Sequence, residues 1–145
     1  MKPWIENVSL GDIQNGYHYD AGINSMLIQI VDPDMDFPTP KHEFRRVYQF
    51  KFLDVEDPVY VNPLSTEFDV KHADAITNED AKGIAQALKE AWDNGMNVVV
   101  HCHAGVCRSG AVAEVGVMLG FRDTEKFRAP NLMVKKKLMY QLGMI

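Results

Sequence analysis

The residues best suited to chemistry lie together in His101-Cys102-His103-Ala104-Gly105-Val106-Cys107-Arg108-Ser109-Gly110. An apolar run ends in Cys102, five residues turn, and Arg108-Ser109 opens a second apolar stretch. A turn between a strand and a helix start gathers consecutive backbone N–H groups into a concavity. The helix adds its own unpaired N–H groups and the positive end of its dipole, and the result suits a tetrahedral oxyanion. Gly105 can take backbone angles closed to other residues, and Arg108 can close the ring with a planar, bidentate fork. The same positive field favours the thiolate of Cys102. A free thiol titrates near about 8.5, and a helix N-terminus with cationic neighbours brings it to roughly 3.5–7.5, low enough for a nucleophile at neutral pH. Ser109 is placed to hydrogen-bond the sulfur and to ease its departure from a covalent intermediate.

The elements that position this segment follow from periodicity. Asn97-Val98-Val99-Val100-His101 reads as a buried strand feeding the turn, and Met26–Val31 and Val47–Leu53 read as two further strands, the latter alternating. Ala81, Ile84, Ala85, Leu88 and Trp92 fall on one helical face. Thr77 or Asn78 can cap that helix, Glu79 and Asp80 suit its positive end, and Asn94-Gly95 supplies a left-handed stop. Arg108 to Leu119 is apolar nearly all round and predicts a central buried helix. A last helix is predicted from Asn131 to about Leu142, with Val134, Leu138 and Leu142 inward and Lys135–Lys137 a solvated face. The order β, β, α, β, α, α predicts one α/β domain over 1–145, a central, mainly parallel sheet flanked by helices. Ligands of such sheets bind beyond the carboxyl ends of the strands, which is where Cys102 falls.

Composition narrows the class. The chain has 145 residues, 46% apolar and 24% charged, with 10 Gly and 7 Pro, values of an ordinary globular domain able to bury one core. Two cysteines, Cys102 and Cys107, are too few and too close for a secreted disulfide framework and favour a reducing cytoplasm. There is no apolar run long enough to span a membrane and no leader pattern at the start, so neither membrane insertion nor secretion is expected. A net charge of −5 argues against general nucleic-acid binding. The charge is uneven: residues 1–100 carry 8 Lys/Arg against 17 Asp/Glu, and residues 101–145 carry 7 against 3, so the Cys102 segment is locally cationic. The Asp32-Pro33-Asp34-Met35-Asp36 run lacks the glycine and terminal glutamate of a calcium loop and reads as a solvated turn. The irregular stretch from Asp54 to Asp74 reads as a long loop, a length that usually accompanies a function.

The H-C-x5-R-S pattern after a strand resembles the signature loop of the cysteine-dependent protein tyrosine and dual-specificity phosphatases. HCHAGVCRSG matches the form H-C-x-x-G-x-x-R-S at every defining position, and the chain length is similar to that of the small dual-specificity members. A strand ending near Asp54, a helix at 78–94 and Pro130-Asn131 before an apolar helix extend the likeness loosely; the first 25 residues add nothing to it. The resemblance implies a phosphatase-type phosphate-binding loop and two-step phosphoryl transfer without metal or cofactor. Cys102 would be the nucleophile. Arg108 and the loop His103-Ala104-Gly105-Val106-Cys107 would bind the phosphoryl group, Ser109 would assist the thiolate, and His101 and Asn131 would support the loop. The general acid would come from the loop after the second strand, with Asp54 the best match and Asp57, before Pro58, the alternative. The 48 residues from Asp54 to Cys102 exceed the usual separation, which implies an insertion in 58–74 and leaves Asp69 and Asp74 possible on spacing. Phosphorylated proteins would be the substrates.

Other readings of the same residues stand beside this one. His101, Cys102, His103 and Cys107 suggest zinc, but four ligands packed this tightly cannot readily enclose a tetrahedral ion. A catalytically inactive phosphate- or phosphoprotein-binding module would keep the loop and lack the acid. A phosphatase acting on an RNA 5′-phosphate or a phosphoinositide would share the chemistry, although the five loop residues carry no Lys or Arg for a polyanion. A rhodanese-type sulfur transferase also sets a cysteine before a nest, usually with a different loop length. Finally, Cys-x4-Cys-Arg is similar to the low-molecular-weight tyrosine phosphatase loop, which implies a protective Cys102–Cys107 disulfide under oxidation. The alternative for Cys107 is a small apolar residue under the loop.

Overall fold

The computed structural model describes residues 2–56 and 74–145. Asp57, Asp69 and most of the 58–74 insertion therefore lie outside the described residues. Five strands form one sheet in the order β3-β2-β4-β1-β5: β1 Trp4–Ser9, β2 Ser25–Val31, β3 Arg46–Lys51, β4 Asn97–Cys102 and β5 Arg122–Asp123. Every pairing is parallel, with Ser9 beside Cys102 and Gln29 beside His101 at the carboxyl ends of β1, β2 and β4. Among the described residues four helices accompany the sheet: α1 Leu10–Gln14, α2 Asn78–Asp93, α3 Arg108–Leu119 and α4 Leu132–Gln141. This is an α/β domain built on a parallel sheet flanked by helices, as its alternation of apolar runs and amphipathic faces predicts.

β1, α1 and β5 were not among the predicted elements. Trp4-Ile5-Glu6-Asn7-Val8-Ser9 mixes polar and apolar residues on both faces, and β5 has two residues, so neither carries a periodic signal. The second predicted strand is shorter than expected: it ends at Lys51, and Asp54 sits in the following loop rather than at the strand end.

The larger part of the core lies between the sheet and α2, α3 and α4, where Ile5, Met26, Ile28, Ile30, Val98 and Val100 meet Ile84, Leu88, Val112, Val115, Val134 and Leu138. On the other face, Val8, Leu27 and Val99 pack with Ile13 and Ala21, from α1 and the short 3-10 turn Tyr19–Ala21. Strand alternation therefore sends Cys102 toward the helices together with Val98 and Val100, while Val99 and His101 fall on the alternate positions. Burial of this kind stabilises at roughly 25 cal/mol per Å² of apolar area and holds the strand ends in register.

Three of the described helices start with side-chain caps. Ser9 and Asp12 form a capping box on α1, Thr77 and Asp80 form another on α2, and Asn131 Oδ1 accepts from Val134 N at 3.0 Å on α4. At the start of α3, Cys107 occupies the cap position and makes no side-chain cap bond. The first-turn N–H groups of that helix therefore have no side-chain cap.

Candidate functional site

Cys102 ends β4 and Arg108 begins α3, so both are fixed by buried elements and only the five residues between them turn. Cys102 is 3% exposed, and its Sγ lies 3.1 Å from Ser109 Oγ, which is fully buried beneath it. Among the described residues, none of the N–H groups from Ala104 through Arg108 donates a hydrogen bond to the protein. Unpaired amides at a helix start, next to a guanidinium, form an anion-binding concavity.

The loop is braced from three sides. Gly105 has φ +79° and runs against β1; a Cβ there would lie 2.3 Å from the Val8 carbonyl carbon. Asn7 Nδ2 donates to Gly105 O at 2.7 Å and to Phe127 O at 3.0 Å. From the far side, Ala129 N donates to Val106 O and Asn131 N to Cys107 O, at 3.1 and 3.0 Å, while Leu10 N donates to His103 O at 3.1 Å. Asn7 escapes sequence reasoning because β1 itself does; a buried polar residue mid-strand is its only signal.

Arg108 is 5% exposed, and its Nη1 donates to Asp32 Oδ1 and to Phe52 O, both at 2.7 Å. The reading of Asp32 as part of a solvated turn is therefore corrected. Asp32 follows the last residue of β2, and the parallel sheet brings that carboxyl end beside the end of β4, where a buried guanidinium needs a counter-charge. Nothing local to the Asp32–Asp36 run reveals this.

A cavity of about 420 Å³ opens over the loop, lined by Cys102, His103, Ala104, Cys107 and Arg108 on one side and by Asp32 and Leu53-Asp54-Val55 on the other. Asp54 is thus brought to the cysteine despite the 48-residue separation. Asn131 Nδ2 holds its Oδ1 at 2.7 Å and also donates to Val55 O at 3.1 Å. Glu56 ties the same loop to α4, accepting from Leu132 N at 2.7 Å. Asp74 does not line the cavity; its carbonyl accepts from Leu53 N at 2.7 Å. Gly105 and Val106 contribute backbone to the loop and no side chain to the cavity wall.

His101 is fully buried beside Cys102, its Nδ1 3.2 Å from Cys102 O, and among the described residues its Nε2 has no hydrogen-bond partner. Burial pushes its pKa down to about 4, with the Arg108 charge acting the same way and the Cys102 carbonyl opposing. Cys107 is half-buried, and its thiol is pushed up by burial and then by the Asp54 carboxylate beside it. Both cysteines are free thiols. Among the described residues no cluster of His, Cys, Asp and Glu is arranged to hold a metal ion, and no helix is long and apolar enough to cross a membrane.

No protein-family model matches the chain, and no curated protein matches it. The chemistry of the site is read from its own residues.

Proposed function

We propose that this chain is a cysteine-dependent phosphomonoester hydrolase of the protein tyrosine and dual-specificity phosphatase type, acting on phosphotyrosine and phosphoserine/threonine in proteins. The observation that carries this reading is the contact of Cys102 Sγ with Ser109 Oγ at 3.1 Å, in a cavity that also holds Arg108, Asp54 and a run of unpaired loop amides. A binding module needs the amides and the arginine; it has no use for the Cys102 thiol and the Asp54 carboxylate in one cavity.

In the first step Cys102 Sγ attacks phosphorus, the S–P bond forms, and the P–O bond to the alcohol or phenol breaks as Asp54 gives its proton to the leaving oxygen. The loop amides and Arg108 hold the three remaining phosphoryl oxygens, where the charge of the transition state spreads. Asn131 fixes one Asp54 oxygen, and the Cys107 thiol lies beside the same carboxylate. In the second step Asp54 takes a proton from water, the water oxygen attacks phosphorus, and the S–P bond breaks. The Ser109 hydroxyl donates to the departing thiolate and lowers the barrier to its release. Asp32 keeps Arg108 turned toward the cavity.

Hydrolysis of p-nitrophenyl phosphate by wild type, Cys102→Ser and Asp54→Asn, followed against pH in EDTA with reductant, tests the reading. The expected result is activity in EDTA, loss of turnover in Cys102→Ser, and loss of the basic limb of the pH profile in Asp54→Asn. Wild type that binds phosphotyrosine and releases no product would replace this reading with that of a binding module.

A further inference from the structure

A second cavity, of about 390 Å³, lies on the Trp4 and Val8 face of β1 and shares no residue with the Cys102 site. Trp4, Glu6, Tyr17, His18 and Asp20 line it: aromatic rings and two carboxylates. The Trp4 and Tyr17 rings stand 6.4 and 4.2 Å from the His18 ring, so the aromatic walls support each other. One polar atom, His18 Nε2, is buried with no hydrogen-bond partner among the described residues. The Glu6 side chain is 15% exposed, and among the described residues no hydrogen bond reaches its carboxylate. Glu6 Oε2 lies 3.3 Å from His18 Nε2, on a ring that is 4% exposed, and among the described residues that nitrogen makes no hydrogen bond. Burial holds His18 neutral, with its pKa down to about 4, so the approach is not an ion pair.

A partly shielded carboxylate that accepts no hydrogen bond from the described residues and a buried, unpartnered ring nitrogen, set between aromatic faces, complement a compact cation with several N–H donors. The chain's own Lys126 already demonstrates part of the fit: its Nζ lies 4.8 Å from the centre of the Tyr17 ring.

We propose that this cavity binds a primary alkylammonium group, supplied by a lysine side chain of another protein or by a small diamine. Glu6 accepts the ammonium hydrogens, Trp4 and Tyr17 flank the charge, and Asp20 stands at the rim as a second carboxylate. Lys126 competes for the Tyr17 face. The proposal does not depend on the phosphatase reading, and neither its success nor its failure alters that reading.

The test is an NMR titration of the full chain with n-butylammonium, read at the Trp4 indole, with n-butanol as the uncharged control. N-acetyl-lysine methylamide and 1,5-diaminopentane distinguish the two sources. Saturable shifts with a Kd of about 1–10 mM are expected for the amine, in the range of a single desolvated charge contact, and none for the alcohol. Glu6→Gln should weaken binding by about tenfold or more, Tyr17→Ala by roughly threefold, and Lys126→Ala should tighten it. Tighter binding of the diamine than of the capped lysine assigns the site to small diamines, and the reverse order assigns it to protein lysines. Absence of saturation in both wild type and Lys126→Ala overturns the proposal, as does equal binding of the alcohol or unchanged binding in folded Glu6→Gln. If Glu6→Gln does not fold, Tyr17→Ala decides, because that ring is 53% exposed and carries little of the core.

Discussion

Replacing Gly105 by alanine separates the two demands the loop makes on its turn residue. The first is conformational: φ is +79°, and an L-residue in left-handed geometry costs about 1–2 kcal/mol. The second is spatial. A Cβ would stand 2.3 Å from Val8 C, 2.5 Å from Ser9 N and 2.6 Å from Val8 O, all of them backbone atoms of β1. Val8 and Ser9 are held in the ladder opposite His101 and Cys102, so no rotamer change relieves the overlap and either β1 or the loop must move. Overpacking of this kind adds about 1–3 kcal/mol, for a total of about 2–5 kcal/mol. Gly95→Ala is the control, since its φ is +63° and nothing lies within 4 Å of the added carbon. At this size 1 kcal/mol shifts the melting temperature by about 2–4 °C, so Gly105→Ala should melt about 4–20 °C below wild type and Gly95→Ala about 2–8 °C below. Displacing the amides by about 1 Å should also lower p-nitrophenyl phosphate turnover by roughly a hundredfold. Thermal melts by circular dichroism, with activity on the same samples, give both numbers. Melting of Gly105→Ala alongside Gly95→Ala, with activity retained, would refute the close approach of the loop to β1.

Arg108→Lys should lower kcat at least about a hundredfold while the fold persists, because an ammonium cannot keep the Asp32 and Phe52 contacts and still present a fork to the phosphoryl oxygens; steady-state kinetics beside a melting curve check it. Asn131→Ala removes the α4 cap and the two bonds to the Asp54 loop together, and should destabilise by about 2–3 kcal/mol in urea titration and reduce kcat more than it changes KM. His101 and His18 are held near pKa 4 in the folded chain, against 6.5 for the free side chain. The unfolded chain therefore binds more protons between those values, and stability present above pH 6.5 is lost as pH falls toward 4. Unfolding free energies from urea titration at pH 7 and pH 5 should differ by about 2 kcal/mol for each histidine, and a flat profile would contradict their burial as neutral rings.

Much of this arrangement is legible without coordinates. The helix at 78–93 announces itself through Ala81, Ile84, Leu88 and its Thr77 cap, because an amphipathic face and a capping box are local signals. The cysteine loop is legible for the same reason: its strand, glycine, arginine and serine occupy consecutive positions, and their order alone brings Cys102 onto Ser109. β1 is not legible, since a strand that places Glu6 at one cavity and Asn7 under the loop breaks the alternation that would reveal it. Asp54 is legible only in part. Its position after a strand names it, but the strand stops at Lys51, and the bond from Asn131 that holds it spans 77 positions.

The sequence by itself determined the parallel α/β pattern, the turn of Cys102 into Arg108, and the local positive charge, because each depends on residues within a few positions of one another. Only the tertiary structure decided that Asp32 answers Arg108, that Asn7 and Val8 brace Gly105, and that Trp4, Glu6 and His18 enclose a second cavity. Those contacts follow from the strand order β3-β2-β4-β1-β5. That order sets the ends of β1 and β2 on either side of β4, and a buried charge or polar group is then satisfied by whatever residue the neighbouring strand delivers there.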